Sequence, residues 1–368
     1  MASIVIKNTS LAIILTAFAF AIMARGNALA ETTWYVDDNA PADFATIQEA
    51  LDAASDTDTI IVRDGTYIGT GNRDIDFGGK AVHLRSENGP DNCVIDCQGT
   101  DAEPHRGFYF HTGEDENSLV DGFTITNGSA YQGGGIYCYN NSSPTITNNT
   151  ITANTAEHEG GGIDCLLNSS PFITNNTITA NTADYGGGIS CVASSPTVKN
   201  SILWGNSAPT GPEVYLSYWL DNPSTLTVRY SNVAGGQGAA YVEPGCTLDW
   251  GPGNIDADPL FADPDNGDYH LKSEFGRWDP TMDGGLGGFR VDEVTSPCPC
   301  IDAGNPESDY SNETQRNGGR INMGAYGNTP EASKSRWKVF GDVNDDCTVN
   351  VLDLLSVRNE LRKSGNCD

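Results

Sequence analysis

The chain has 368 residues, of which 49 are acidic and 20 basic, for a formal charge of −29 at pH 7. So acidic a surface excludes nucleic acid and anionic membrane as partners. An acidic polysaccharide is admitted only where calcium bridges the two charges.

Residues 1–30 read as a secretory signal peptide. Lys7 supplies the charge, Leu11 to Met23 the apolar run, and Ala28-Leu29-Ala30 the cleavage site. The run is broken by Arg25 and short for a membrane span, so none is expected in the mature chain. Cleavage removes Lys7 and Arg25 and no acid, leaving 18 basic residues against 49 acidic, about −31. All ten cysteines lie beyond the leader, which suits a secreted, oxidising setting at the cell surface or outside the cell.

A β-solenoid is expected over residues 31–233. Trp34-Tyr35-Val36 is a strand, and Asp37 and Asp38 are turn residues. Phe44, Ile47, Leu51 and Ala54 recur at helical spacing, so Ala45 to Ala54 is a short amphipathic helix that caps an open sheet edge. Thr59 to Val62 is a buried strand. Val82-His83-Leu84 and Val94-Ile95-Asp96 alternate like strands. His83, His105 and His111 do not have metal-ligand spacing and read as solvated.

From Gly133 to Ala208 the chain repeats itself: GGGIYCYNNSSPTITNNTITANTA, GGGIDCLLNSSPFITNNTITANTA, GGGISCVASSPTVKNSILWGNSA. Such a period, with β-branched residues and no helical spacing, is that of a solenoid coil of three short strands. Ile136 and Cys138 point inward, Tyr137 and Tyr139 outward. Asn148-Asn149 and Asn175-Asn176 sit at the bend, where asparagine tolerates a left-handed backbone. Cys138, Cys165 and Cys191 stack in one internal column. A solenoid grows along one axis, so a long chain needs no single large globular core.

The pattern resembles the right-handed parallel β-helix of pectate lyases, polygalacturonases and many secreted surface proteins, over about Trp34 to Trp204. The resemblance implies the fold more than an activity, because this fold hosts many functions. No His-Gly occurs, so the polygalacturonase signature is missing, and Lys199 is the one basic residue in the repeat of the kind a lyase needs. No catalytic residue is identified. The segments before the three glycine triplets should lie one above another. They offer Tyr131, Glu157, His158, Glu159, Asp184 and Tyr185 as a substrate-binding edge, tyrosine for sugar rings and carboxylate for hydroxyls.

From Val214 the pattern loosens. Residues 234–330 resemble the terminal segment that follows β-helices in secreted proteins, with Ile255 and Leu260-Phe261 packing on the last coil. Asp256, Asp258, Asp263, Asp265 and Asp268 suit either calcium or turn capping. Cys246 is the expected disulfide partner of Cys298 or Cys300. Residues 331–338 form a polar linker to a small α-helical, EF-hand-like module at 339–368. There Asp342, Asn344, Asp346, Thr348, Asn350 and Asp353 occupy positions 1, 3, 5, 7, 9 and 12 of a calcium loop. This resembles one repeat of a dockerin, with Cys347 where glycine is usual and aspartate rather than glutamate at position 12. The resemblance implies a cohesin-like receptor or a cell surface as partner. Together these features point to a secreted protein that binds or degrades polysaccharide; as an enzyme it would be a hydrolase or lyase. The second reading is a non-catalytic surface or matrix protein in which the solenoid is a rigid spacer.

Overall fold

The computed structural model describes residues 31–335 except Ala40, Leu286 and Arg316. The expected leader at 1–30 and the expected calcium-loop module at 339–368 lie outside the described residues. Among the described residues no helix is long and apolar enough to cross a membrane.

Each repeat supplies three strands. In the middle unit they are Ile163–Leu166, Phe172–Thr174 and Thr177–Thr179. Successive units pair in parallel, residue for residue: Ile136 with Ile163 with Ile189, and Cys138 with Cys165 with Cys191. Ile146 likewise meets Ile173, and Ile151 meets Ile178. Three parallel sheets result. The first has nine strands, from Thr33–Val36 to Thr247–Trp250. The second climbs from Phe108–Phe110 to Val214–Trp219, and the third from Gly65–Ile68 to Asn232–Val233.

The interior is a set of stacked apolar columns. Phe108, Ile136, Ile163, Ile189 and Val214 line the second sheet, and Val120, Ile146, Ile173, Val198 and Val228 the first; none is more than 1% exposed. Each such side chain contributes about 1.5–3 kcal/mol by leaving water. The helix α1 (Ile47–Ala53) forms, with Thr46 Oγ1 accepting from the Glu49 amide at 3.3 Å, and buries Ile47, Ala50 and Leu51 in the same core.

The paired asparagines divide their work. Asn148 and Asn175 take the left-handed turn, at φ 54° and 53°. Asn149 and Asn176 point inward and are fully buried. Asn149 Oδ1 accepts from the Phe123 amide at 2.9 Å, and the Asn149 amide donates to Asn176 Oδ1 at 2.9 Å. Asn149 Nδ2 donates to the carbonyls of Val120 and Thr147. The ladder continues through Ser201, Ser231 and Asn254. A second ladder, Asn154, Asn181 and Asn206, turns the next corner in the same way. It ends on Glu213, which accepts from the Asn206 amide at 3.1 Å and from Asn206 Nδ2 at 2.5 Å. Burial pushes the Glu213 carboxyl up to about 7, against the lowering effect of those hydrogen bonds.

The solenoid runs further than Val233. Tyr241–Val242 pairs with Val214–Trp219, Thr247–Trp250 pairs with Thr225–Arg229, and Ile255 bridges Asn232. The C-terminal segment bonds to Asn232 through Ile255, Ala257 and Cys300 and then folds back along the coils. Phe261, Tyr269, Leu271, Met323, Ala325 and Tyr326 build a second apolar cluster on Ile202, which faces outward from the third sheet. Gly324 (φ +94°) lies so close that a Cβ would stand 2.9 Å from both Ile202 Cδ1 and Thr177 Oγ1. Glu331–Ser335, taken from sequence as the start of a linker, stays tied down: Asn322 Nδ2 donates to the Ser333 carbonyl and the Lys334 amide to Gly276.

The eight described cysteines are free thiols. Cys138, Cys165 and Cys191 are fully buried and pack as small apolar residues. The expected bond from Cys246 to Cys298 or Cys300 is not made. Cys246 packs on the solenoid core, whereas Cys298 and Cys300 belong to the second cluster.

Asn181→Ala removes the acceptor of two Asn154 donors at once. It should cost at least about 2 kcal/mol, since the groups left behind are buried; urea unfolding measures it. Glu213 binds an extra proton in the folded state between its unfolded value near 4.5 and about 7. Stability should therefore be full below the unfolded value and fall by about 3 kcal/mol as pH rises through 7. Glu213→Gln should abolish that slope in melting curves taken from pH 4 to 8.

Candidate functional site

Strand alternation sets Tyr109, Tyr137, Asp164, Ser190, Tyr215 and Tyr241 in one outward column on the second sheet. The chain reaches these strands through the glycine triplets. Gly133, Gly160 and Gly186 open them in the left-handed region, at φ 61°, 67° and 65°. The turn passes so close that a Cβ on Gly160 would lie 2.5 Å from Asp164 Cβ. This is why Asp164 and Ser190 are fully buried although they face away from the core.

The Asp164 carboxyl and the Ser190 hydroxyl are sealed from solvent and have only each other as side-chain hydrogen-bonding neighbours, in loose geometry. Burial first, then the charge of Glu159, holds the Asp164 carboxyl well above the usual carboxylate range. Arg106 lies 5.0 Å above the rings of both Tyr109 and Tyr137, and burial lowers its affinity for its proton.

A ridge runs beside this column. Ser129–Gln132 pairs with Thr155–Glu159, and bridges from Glu159 to Tyr185 and from Tyr185 to Thr210 carry it onward. Four of the six residues expected at this edge meet there. Tyr131 stacks on His158 at 5.4 Å with planes 6° apart, and His158 meets Tyr185 at 5.2 Å. The ladder continues through Tyr215 to Tyr241 in two steps of 5.1 Å. Glu159 is nearly buried, accepts from Gln132 Nε2 at 2.6 Å and lies 3.5 Å from His158 Nδ1. Gln132 Oε1 in turn accepts from the Tyr137 hydroxyl at 3.3 Å. Glu157 and Asp184 are exposed and stand outside the ring ladder.

Arg106, Asp164, Tyr215 and Tyr241 lie outside the residues that the sequence offers for a site, whereas Gln132 belongs to the expected edge segment and Tyr137 to the expected outward set. The signal for Asp164 was present: it is the one charged residue in a slot that Tyr137 and Ser190 fill in the neighbouring repeats. At the two ends of the ladder Tyr131 is 57% exposed and Tyr241 39% exposed.

The other candidates resolve into local roles. His83, His105 and His111 face Asp121, Asp74 and Asp76 at 3.1, 2.6 and 3.4 Å. Asp258 and Asp263 accept from Leu260 and Asn266 within their own turns, and Asp256 accepts from the Gly235 amide of the preceding coil. Asp268 alone joins a wider network, with His270 and Arg277. The proposed calcium ligands at 342–353 lie outside the described residues.

Residues 55–229 match the family model for the right handed beta helix region, and residues 217–304 match a model termed disaggregatase related. No curated protein and no solved structure matches the chain. The first match and the three stacked sheets together make this a right-handed parallel β-helix repeat protein.

Asp164→Asn should leave stability unchanged in acid and raise it as pH increases. The folded carboxyl holds its proton above the unfolded value, so ionisation opposes folding as pH rises. Equal melting of parent and variant at every pH would remove the buried acid from the site.

Proposed function

We propose that the protein is exported and binds an extended polysaccharide along the outer face of its second sheet. The observation that supports this most is the series of five rings from Tyr131 to Tyr241, beside Glu159 and Gln132. The rings advance one coil at a time, so the surface they mark is linear, like a polymer chain. Their mutual stacking leaves edges and hydroxyls toward solvent, while Tyr131 and Tyr241 offer larger exposed surfaces at the two ends. Aromatic surface suits the C–H faces of sugars, and the amide and carboxylate suit their hydroxyls. The family matches point the same way, toward a polysaccharide-related or surface protein. In this reading α1 shields the N-terminal coil, and the loop at 342–353 takes calcium and fastens the protein to a cohesin-like partner or a surface.

Asp164 beside Glu159 is the pair of acids that cleavage of a glycosidic bond would call on. Asp164 is closed beneath a glycine turn, which favours binding over cleavage at this face. The same closure favours, as a second reading, a non-catalytic surface protein with the solenoid as spacer.

Affinity electrophoresis through gels of neutral and acidic polysaccharides, with and without calcium, tests the proposal. One polymer class should retard the parent. Tyr131→Ala with Tyr241→Ala should weaken that retardation at least about tenfold with an unchanged melting temperature. No retardation by any polymer, or full retardation of the double variant, would sink the reading. Assays for reducing ends and unsaturated products on the retarding polymer then separate binding from cleavage.

A further inference from the structure

Where the C-terminal segment crosses the coils, it brings His270 and Glu331 onto Asp91. His270 is fully buried. Its Nδ1 lies 2.9 Å from Asp268 Oδ1, and a carboxylate can only accept, so Nδ1 carries the proton of that bond. Asp268 is itself held by Arg277 at 2.8 Å. Tyr326 stacks on the imidazole at 3.7 Å and donates its hydroxyl to Asp91 Oδ1. Asp91 Oδ2 lies 3.5 Å from the same Nδ1, so Asp268, Tyr326 and Asp91 hold the ring, yet Nε2 makes no hydrogen bond. It is aimed at Glu331 Oε2, 4.0 Å away. One ligand atom from each of Asp91, His270 and Glu331 lies within 4.8 Å of the other two.

We propose that Asp91, His270 and Glu331 bind one divalent transition-metal cation, for which zinc is the best chemical fit. Zinc takes imidazole nitrogen and carboxylate oxygen at about 2.0–2.2 Å, which sets ligand atoms about 3.4 Å apart. The three side chains need close only modestly to reach that spacing. A histidine whose second nitrogen is fixed by a carboxylate is the usual support of such a ligand, and Asp268 fills that role. The imidazole argues against calcium and magnesium, which prefer oxygen alone. Charge argues for a cation. Asp91, Asp268 and Glu331 gather around one imidazole, and the guanidinium of Arg277 is divided between Asp268 at 2.8 Å and Asp292 at 3.2 Å. Asp91 and Asp268 line a cleft of about 820 Å³ that gives the ion a path in. The ion would clip the C-terminal segment to the coil that carries Asp91.

The test uses the full mature chain, stripped with chelator and held in excess calcium so that the tail loop does not compete. Zinc titration by calorimetry should show one equivalent bound and a raised melting temperature. Cobalt(II) should give visible d–d bands without a thiolate charge-transfer band. Glu331→Gln and His270→Gln should lose the zinc site, and Asp268→Asn should weaken it about 10- to 100-fold. Circular dichroism checks that each variant is folded. Should His270→Gln unfold, Glu331→Gln decides, because Glu331 lies nearer the surface. No zinc binding by the parent, a thiolate band with cobalt, or unchanged affinity in Glu331→Gln would overturn the proposal.

Discussion

A β-helix must turn three corners per coil, and every corner directs peptide groups toward an apolar interior. An unpaired amide there costs about as much as a good apolar contact contributes. This chain meets the constraint with side chains that repeat at the corner itself. Asn149 and Asn176, and Asn154, Asn181 and Asn206, each accept from one coil and donate to another. Serines do the same at the remaining corner, from Ser142 through Ser169 and Ser194 to Ser224. Because each amide serves two neighbours, the ladders fix the register from coil to coil. The apolar columns then stack without slippage, and outward residues line up as faithfully as inward ones.

The division of the outer surface follows. The third sheet is covered by the C-terminal segment, through Ile202 and through the Thr152 hydroxyl, which meets the Tyr269 hydroxyl at 2.9 Å. The second sheet keeps its own dressing, a ridge of rings on one side and glycine turns lying over Asp164 and Ser190. Function is therefore sought where register alone assembles a linear array, and at the seam where the covering segment meets the coils. These two places have different chemistry. The first is aromatic and extended; the second is compact, acidic and centred on one histidine.

The repeat made the coil legible because residues that recur at one spacing recur at one place. The inward set Ile136, Ile163 and Ile189 and the edge set Tyr131, His158 and Tyr185 both followed from that. Within the asparagine pairs, sequence showed a bend but not which member turns and which is buried, since both are compatible with a left-handed backbone. The coil at 241–255 was missed because it shares no motif with the others and relies on Leu248 and Trp250 for its packing. The seam was out of reach altogether. Tyr326 and Asp91 are 235 positions apart, and no local pattern announces their meeting. Asp268 looked like one of several turn aspartates and is distinguished only by what the fold places beside it.

Shared side-chain ladders, not isolated strands, hold the coils together. Native-state hydrogen exchange tests it most directly. If the account is right, the amides of Phe123, Gly128, Asn149, Asn154 and Asn181, all bonded to asparagine side chains, should exchange together and only through global unfolding. Independent and early exchange of these corner amides, ahead of the strand centres at Ile146 and Ile173, would contradict it.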